Sequence, residues 1–428
     1  MRIRLSASRL LLPSLVVAGA CADRAPARTA VGATATATGD IPVASAPVAA
    51  RPVASGPVAT RPDSARAVEV QGRSTVGGRS AQPLESSKPT GSPAIRGLYV
   101  NRFAAQSSKR LRQHIAWADS TEINALVIDM KDELGLNYHS ANPAFRRNEG
   151  GTHGFVRDVK AITDTLRAHG IISIARLVVF KDPVAAAANA SWQIKRPDGG
   201  VWRDEKGNAW VNAYNREVWD YNIGVAEELV KLGFDEIQWD YIRFPEPYKR
   251  LGPQVFPGWN QQRKPDALAE FLKEAKTRIN ALGVRSTADV FGLVTTVRGP
   301  LEIGQWWEKV APVTDVLLPM VYPSHYPRNS LGVAHPNAQP YDIVRIAIDT
   351  ARVRNAKLGI AAPEHVRPWL QAFSLYGVSY GAEEVRQQKR AVYDAGYDGW
   401  VLWHPGSKYE SFIPALERGE LVSRKKAR

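Results

Sequence analysis

Beyond residue 94, short hydrophobic runs alternate with longer amphipathic stretches along the chain. The runs are rich in Val, Ile, Leu and aromatic residues, so they predict β-strands. The eight predicted strands lie at 96–100, 125–132, 171–177, 233–245, 285–291, 315–322, 366–370 (with 358–360 as the competing choice) and 399–403. The stretches between them have helical period and predict helices at 107–120, 154–169, 216–232, 265–282, 341–354 and 382–395.

This order of elements predicts an α/β fold with parallel strands. Several predicted helices end in a glycine directly before the next strand, as at Gly170, Gly233, Gly283 and Gly396, which is typical of helix termination. Eight strands spread over residues 94–418 indicate a closed (β/α)8 TIM barrel. A doubly wound open sheet is the alternative, although no glycine-rich phosphate loop follows the first strand.

Residues 22–93 have a different composition, dominated by Ala, Pro, Thr, Val and Ser. The segment 42–51 is echoed by 52–61, and its regular prolines prevent helices and central strands. Such a segment cannot bury a hydrophobic core, so it is predicted to be a long disordered tether rather than a repeat fold. The predicted organisation is completed by a signal peptide at 1–21 and a basic tail at 419–428.

The first 21 residues have the layout of a signal peptide: a basic start, an apolar run at 10–17 and small residues before Cys21. Cys21 is the single cysteine of the chain, and its context resembles a bacterial lipobox, in which the cysteine is lipidated. A simple cleavable signal with an incidental cysteine is the alternative. The sequence therefore predicts an exported protein without disulfides that is anchored to a membrane through Cys21. We expect an outer-membrane lipoprotein, or a location in the periplasm or at the cell surface.

The formal net charge of +14 comes largely from the two ends of the chain. Residues 1–93 contain 11 lysines and arginines against 5 acidic residues, and residues 423–428 contain four more basic residues. The predicted barrel is therefore only modestly basic, and nucleic acid is not predicted as a partner.

The segment 233–245 is the most informative of the predicted strands, because Asp240 lies near its carboxyl end. An aspartate in a buried strand is costly unless it is paired or used in chemistry, and this end of a barrel strand is where TIM barrels catalyse. Strand alternation predicts one face with Gln238, Asp240 and Ile242, and an opposite face with Trp239, Tyr241 and Arg243.

Polar and aromatic side chains recur at the predicted strand ends, and a barrel would bring them to one mouth. Sugars present apolar ring faces for stacking and hydroxyls that need directional partners, so this set predicts binding of a polysaccharide or oligosaccharide. The predicted substrate-binding residues are Asp129, Asp132, Arg176, Gln238, Arg243, Tyr322, His325, Trp369, Gln371 and Trp403. Each of them taken singly also fits a structural role.

Hydrolysis of a glycosidic bond requires two carboxyl groups, one that protonates the leaving oxygen and one that attacks or activates water. Asp240 is the predicted nucleophile or base, and Asp289 on the next strand is the predicted acid. Asp129 or Asp132 could replace Asp289 as the acid, since Asp289 also fits a hydrogen bond to a neighbouring loop. Nearby arginines are expected to lower the pKa of Asp240, namely Arg176 and Arg243.

Other chemistries lack their motifs in this sequence. There are no paired cysteines and no His-x-x-x-His array for zinc, no His-x-His closes the first strand, and no Gly-x-Ser-x-Gly elbow is present. The sequence therefore predicts neither a metal nor a cofactor.

Six motifs together resemble those of a bacterial glycoside hydrolase family long catalogued as a domain of unknown function. They lie at 96–100, 233–245, 288–292, 318–326, 367–371 and 399–403. The resemblance implies a TIM barrel related to amylase-like and α-galactosidase-like glycosidases, in which an aspartate ending the fourth strand is the nucleophile; here that residue is Asp240. One position departs from the family pattern: many relatives have an acid after the seventh-strand motif, where this chain has Ala372.

Together these features predict an exported, lipid-anchored glycoside hydrolase that acts on a cell-envelope or extracellular polysaccharide. The alternative is a glycan-binding lipoprotein that keeps the barrel mouth without turnover. A third hypothesis is attachment to a wall polymer through the basic ends of the chain.

Overall fold

The computed structural model describes residues 94–151 and 153–418. The predicted signal peptide with Cys21, the tether at 22–93 and the tail at 419–428 lie outside the described residues. None of the helices in the described ranges combines the length and the apolar character needed to cross a membrane.

Nine strands of the described residues form one sheet that closes on itself. They are β1 (Arg96–Val100), β2 (Ala125–Asp132), β3 (Gly135–Leu136), β4 (Ile172–Val178), β5 (Glu236–Asp240), β6 (Arg285–Phe291), β7 (Val316–Val321), β8 (Trp369–Gln371) and β9 (Trp400–Trp403). β1 pairs in parallel with both β2 and β9, which closes the barrel, and the short β3 pairs antiparallel with the end of β2. The predicted (β/α)8 TIM barrel is confirmed.

Helices surround the barrel and connect its strands. They are α1 (Arg102–Gln106), α2 (Ser108–Ser120), α3 (Pro143–Arg146), α4 (Val159–Ala168), α5 (Pro183–Ala188), α6 (Arg216–Lys231), α7 (Lys264–Asn280), α8 (Trp307–Val310), α9 (Pro340–Lys357) and α10 (Ala382–Asp394). The helix predicted at 154–169 begins only at Val159, because the Asp158 carboxylate caps it by accepting from the Ala161 N–H at 2.8 Å. α1, α3, α5 and α8 were not predicted, since four to six residues are too few to show a helical period.

Side chains along each strand alternate between two hydrophobic layers. In β2, Leu126 and Ile128 belong to the large layer between the barrel and the helices, whereas Val127 belongs to a smaller cluster inside the barrel. In β7 the same alternation places Leu317 outside and Leu318 inside. This alternation fixes which polar side chains of each strand enter the barrel.

A charged cluster lies inside the barrel near the start of β5. The fully buried Glu236 carboxylate accepts from the Arg367 guanidinium at 2.8 and 3.1 Å, and Arg285 Nη2 lies 3.2 Å from it. Thr287 Oγ1 donates a further bond to Glu236 at 3.2 Å. Two successive inward positions of β5, Gln238 and Asp240, follow toward the strand end, so the interior has polar layers as well as apolar ones.

Candidate active site

A cavity of about 230 Å³ lies at the carboxyl ends of the barrel strands. Its lining includes side chains from β4, β5, β8 and β9 and from the segments that follow β5 and β7. Seven predicted site residues line it: Arg176, Asp240, Arg243, Tyr322, His325, Trp369 and Trp403. The other predicted residues lie behind the cavity wall, as described below.

Arg176 connects carboxylates from three neighbouring strands. β4 lies between β2 and β5, so an inward side chain at position 176 reaches both neighbours. Its Nη1 donates to Asp129 Oδ1 at 2.5 Å, and both Nε, at 3.1 Å, and Nη2 donate to Asp240 Oδ2. Nε also lies 3.9 Å from Asp289 Oδ2. One guanidinium therefore faces three buried acids.

Asp240 is the last residue of β5, and its side chain lines the cavity. Its Oδ1 accepts from the Tyr241 N–H at 2.5 Å. Tyr241 has a φ of 52°, a left-handed conformation that non-glycine residues rarely adopt. The extended strand ends there, so the predicted alternation beyond Asp240 is wrong: Tyr241 and Arg243 line the same cavity as Asp240. Unusual backbone of this kind is concentrated at functional sites.

Asp289 is buried beside the cavity and is not among the residues that line it. The Gln238 amide donates to its two oxygens at 2.9 and 3.1 Å, and the Trp369 indole N–H donates to Oδ1 at 2.7 Å. Burial, followed by the charge of Asp240, raises the pKa of Asp289 well above its usual value. Gln238 itself is fully buried, so it positions Asp289 from below the cavity.

Asp129 and Asp132 occupy two different surroundings, although they are three residues apart. Asp129 accepts from the Tyr99 hydroxyl and from Arg176, and burial raises its pKa to about 6. Asp132 accepts from Arg102 Nε at 2.9 Å and lies behind the cavity wall. A register shift in β2 between Asp129 and position 131 separates the two carboxylates.

The raised pKa of Asp129 predicts a pH-dependent stability. The folded state binds this proton more tightly than the unfolded state does, so the contribution is full below about pH 4 and is lost as the pH rises through about 6. Relative to Asp129→Asn, the free energy of unfolding of the parent should fall by about 2 kcal/mol between about pH 4 and about pH 7. Urea denaturation of both proteins at the two pH values measures this. A difference that does not change with pH would contradict it.

Arg243 is held in an aromatic cage. Its guanidinium carbon lies 4.9, 5.1 and 5.0 Å from the ring centres of Trp210, Tyr241 and Phe291. Nη1 is 3.1 Å from Glu246 Oε2 and donates to a backbone carbonyl. Both arginines were predicted to lie next to Asp240. Among the described contacts only Arg176 pairs with Asp240, and Arg243 does not.

Aromatic rings form another wall of the cavity. Tyr322 stacks on Trp403 with ring centres 5.2 Å apart, and Phe373 packs edge-on against both rings. His325 lies 5.3 Å from the Tyr322 ring. Burial lowers the pKa of His325 to about 4, so the imidazole is neutral at physiological pH.

Gln371 and Ala372 lie away from the cavity. Gln371 is fully buried; its Oε1 accepts from the Ser324 N–H at 3.0 Å and its amide donates to the Phe373 carbonyl. It therefore fixes the loop that carries His325. Ala372 belongs to the outer hydrophobic layer, and its N–H donates to the Trp403 carbonyl at 3.0 Å. An acid at position 372 would point away from the cavity, so its absence removes no carboxylate there.

A further wall of the cavity, formed by the segment between β4 and α6, was not predicted from the sequence. Lys181, Asp204 and Trp210 of this segment line the cavity, and Asp204 accepts from the Trp210 indole at 3.0 Å. Isolated antiparallel bridges at 195–201 and 203–209 order it. The available signal was the segment 202–210, in which two tryptophans flank a charged turn.

Three buried polar atoms of the cavity have no hydrogen-bond partner among the described residues: Arg243 Nε, His325 Nε2 and the Tyr326 hydroxyl. Buried polar atoms are nearly always paired, so these atoms indicate a site for a polar ligand. Among the described residues, no group of three or more His, Cys, Asp or Glu side chains is arranged to hold a metal ion.

Residues 97–409 match the model of the family described as "Putative glycosyl hydrolase domain". The match covers well over half of the chain, so the protein belongs to this family. This confirms the resemblance seen in the sequence motifs and the prediction of a glycoside hydrolase. No curated protein sequence matches the chain.

Two solved structures are similar to parts of the chain. A hypothetical protein from Ruminiclostridium thermocellum ATCC 27405 is 36% identical over 45% of this chain and 97% of its own, with a TM-score of 0.40. The glycoside hydrolase domain of PgaB (BpsB) from Bordetella bronchiseptica is 14% identical over 76% of this chain and 99% of its own, with a TM-score of 0.53. At that identity the second similarity concerns the barrel fold alone.

Proposed function

We propose that the protein hydrolyses a cell-envelope or extracellular polysaccharide, with Asp240 as the nucleophile or base. The observation that carries this proposal is the position of Asp240, which lines a cavity at a strand end with Arg176 bonded to one of its oxygens. The guanidinium holds one oxygen and the Tyr241 N–H holds the other, so the carboxylate is oriented for attack or water activation. The stacked aromatic wall and the unpartnered polar atoms supply the two kinds of contact that a sugar needs.

We assign the acid role to Asp289, because burial and the charge of Asp240 raise its pKa, which favours the protonated form that an acid needs. To reach a glycosidic oxygen, its carboxyl must leave the bonds from Gln238 and Trp369. Glu246 is the competing acid, since it lines the cavity and its side chain is 23% exposed. A pH–rate profile distinguishes them, because substitution of the true acid removes its basic limb.

A non-catalytic glycan-binding protein is the second candidate function. It is favoured by one observation: the predicted acid Asp289 does not line the cavity, so its carboxyl group is not in direct contact with a bound sugar. Such a protein would retain affinity for the glycan without cleaving it.

A reducing-end assay on a panel of bacterial envelope and plant polysaccharides tests the proposal. The full-length protein is compared with its Asp240→Asn variant, and binding of each polymer is measured in parallel. New reducing ends produced by the parent and not by the variant would support hydrolysis and identify the class of polymer that is cleaved. Tight binding of one polymer by both proteins without any release would overturn hydrolysis and favour the second candidate.

We also propose that lipidation of Cys21 anchors the exported protein in the outer membrane, with residues 22–93 as the tether. The support is the order of basic, apolar and small residues before Cys21. The Cys21→Ser variant should move from the membrane fraction to the soluble fraction, while a Ser14→Ala control in the same leader stays with the membrane. Recovery of both variants with the membrane would argue against the lipid anchor.

A further inference from the structure

Two of the unpartnered polar atoms belong to residues that contact the same short segment, Phe291–Gly292. The Arg243 guanidinium stands 5.0 Å from the centre of the Phe291 ring. On the neighbouring residue, a Cβ at Gly292 would lie only 2.6 Å from the Tyr326 hydroxyl. All four residues line the cavity. The segment at the end of β6 therefore contacts both the Arg243 guanidinium and the Tyr326 phenol.

The Arg243 side chain is suited to bind an anion, because its charged guanidinium is already held in place. The residue is 7% exposed, and the three aromatic rings of its cage fix the plane of the guanidinium. Its contact with Glu246 uses Nη1, which also donates to the Phe244 carbonyl at 3.2 Å. Nε has no partner among the described residues, so a buried, charged N–H group is left without an acceptor.

Tyr326 supplies a second donor. The residue is 6% exposed, and its hydroxyl has no partner among the described residues. Burial raises the pKa of Tyr326, so the hydroxyl keeps its proton at physiological pH. Gly292 matters here because any larger residue would occupy the space beside this hydroxyl.

We propose that Arg243 and Tyr326 bind a carboxylate of the glycan, so that the substrate is an acidic polysaccharide containing uronic acid or another carboxylated sugar. This inference rests on the proposed glycosidase function. A carboxylate is planar and accepts hydrogen bonds on two oxygens, which matches one N–H from a guanidinium and one O–H from a phenol. Asp240, which is bonded to Arg176, remains available for the reaction.

The experiment uses the full-length protein and several acidic polysaccharides, each beside the same polymer with its carboxyl groups reduced to primary alcohols. The measured quantity is the ratio of kcat/KM for the acidic and the reduced form. The parent should prefer the acidic form about 10- to 100-fold, as expected for loss of charge-assisted hydrogen bonds. Tyr326→Phe and Arg243→Met should each lower that ratio toward one. Tyr341→Phe, a substitution outside the cavity, should leave it unchanged.

The two variants separate a loss of carboxylate binding from a loss of folding. The Tyr326 hydroxyl bonds to no described residue, so its removal should not unfold the protein, whereas the fold of the Arg243→Met variant is checked by thermal melting. Equal cleavage of acidic and reduced polymers, or preference for a sulfated polymer, would overturn the carboxylate inference and leave the glycosidase function standing. Cleavage of no polymer would overturn the proposed function, and the inference with it.

Discussion

Asp240→Asn should lower the rate of polysaccharide hydrolysis by about 10³- to 10⁴-fold or more, which corresponds to about 4 to 5.5 kcal/mol of activation free energy. The amide keeps the shape of the side chain and removes the negative charge that attack or base catalysis requires. The fold should survive, because Arg176 still pairs with Asp129 at 2.5 Å and lies 3.9 Å from Asp289. The melting temperature should therefore change by no more than about 5 °C.

The comparison with Asp289→Asn makes this test specific. If Asp289 is the acid, its variant loses the basic limb of the pH–rate profile, whereas Asp240→Asn loses activity across the whole range. Glu246→Gln is measured beside them as the competing acid. Undiminished hydrolysis by Asp240→Asn in a well-folded preparation would remove Asp240 from the mechanism.

Glu236→Gln should destabilise the barrel by about 3–5 kcal/mol, the usual cost of breaking a buried ion pair from one side. The carboxylate is fully buried and accepts from Arg367 at 2.8 and 3.1 Å. The amide would leave the Arg367 charge inside the barrel without its main partner. Urea denaturation, read as the free energy of unfolding of parent and variant, measures the loss.

Two controls accompany the Glu236 measurement. Glu270→Gln removes an exposed carboxylate paired with Arg216, and it should cost no more than about 1 kcal/mol. The double variant Glu236→Leu with Arg367→Met replaces both charges by apolar groups, so it should recover most of the lost stability. If Glu236→Gln and Glu270→Gln lower the free energy of unfolding equally, burial of the Glu236–Arg367 pair does not increase its contribution to stability.

The architecture was predictable because each strand carries its own local signal. The predicted strands at 96–100 and 285–291 have the same bounds in the structure. Gly233 ends α6 with a φ of 100°, as its position before a strand indicated. These features depend on neighbouring residues in the sequence, so one sequence suffices to find them.

The site was less predictable because its geometry depends on contacts between distant segments. Simple alternation could not show that Tyr241 adopts a left-handed conformation, which turns Arg243 into the cavity. The pairing of Arg176 with Asp129 and Asp240 depends on strand order and register. The wall around Trp210 is ordered by isolated bridges, and that part of the sequence has no period to detect.

The shared guanidinium of Arg176 links the charge states of the three acids around it. Part of the rise in the pKa of Asp289 comes from the negative charge of Asp240. If Asp240 forms a covalent bond to a sugar, that charge disappears while the charge of Arg176 remains, so the pKa of Asp289 falls. Asp289 would then keep its proton while Asp240 is charged, donate it to the leaving glycosidic oxygen as the bond to the sugar forms, and as a carboxylate accept a proton from the water that breaks that bond. The charge on Asp240 therefore determines the step of the reaction at which Asp289 gives up its proton.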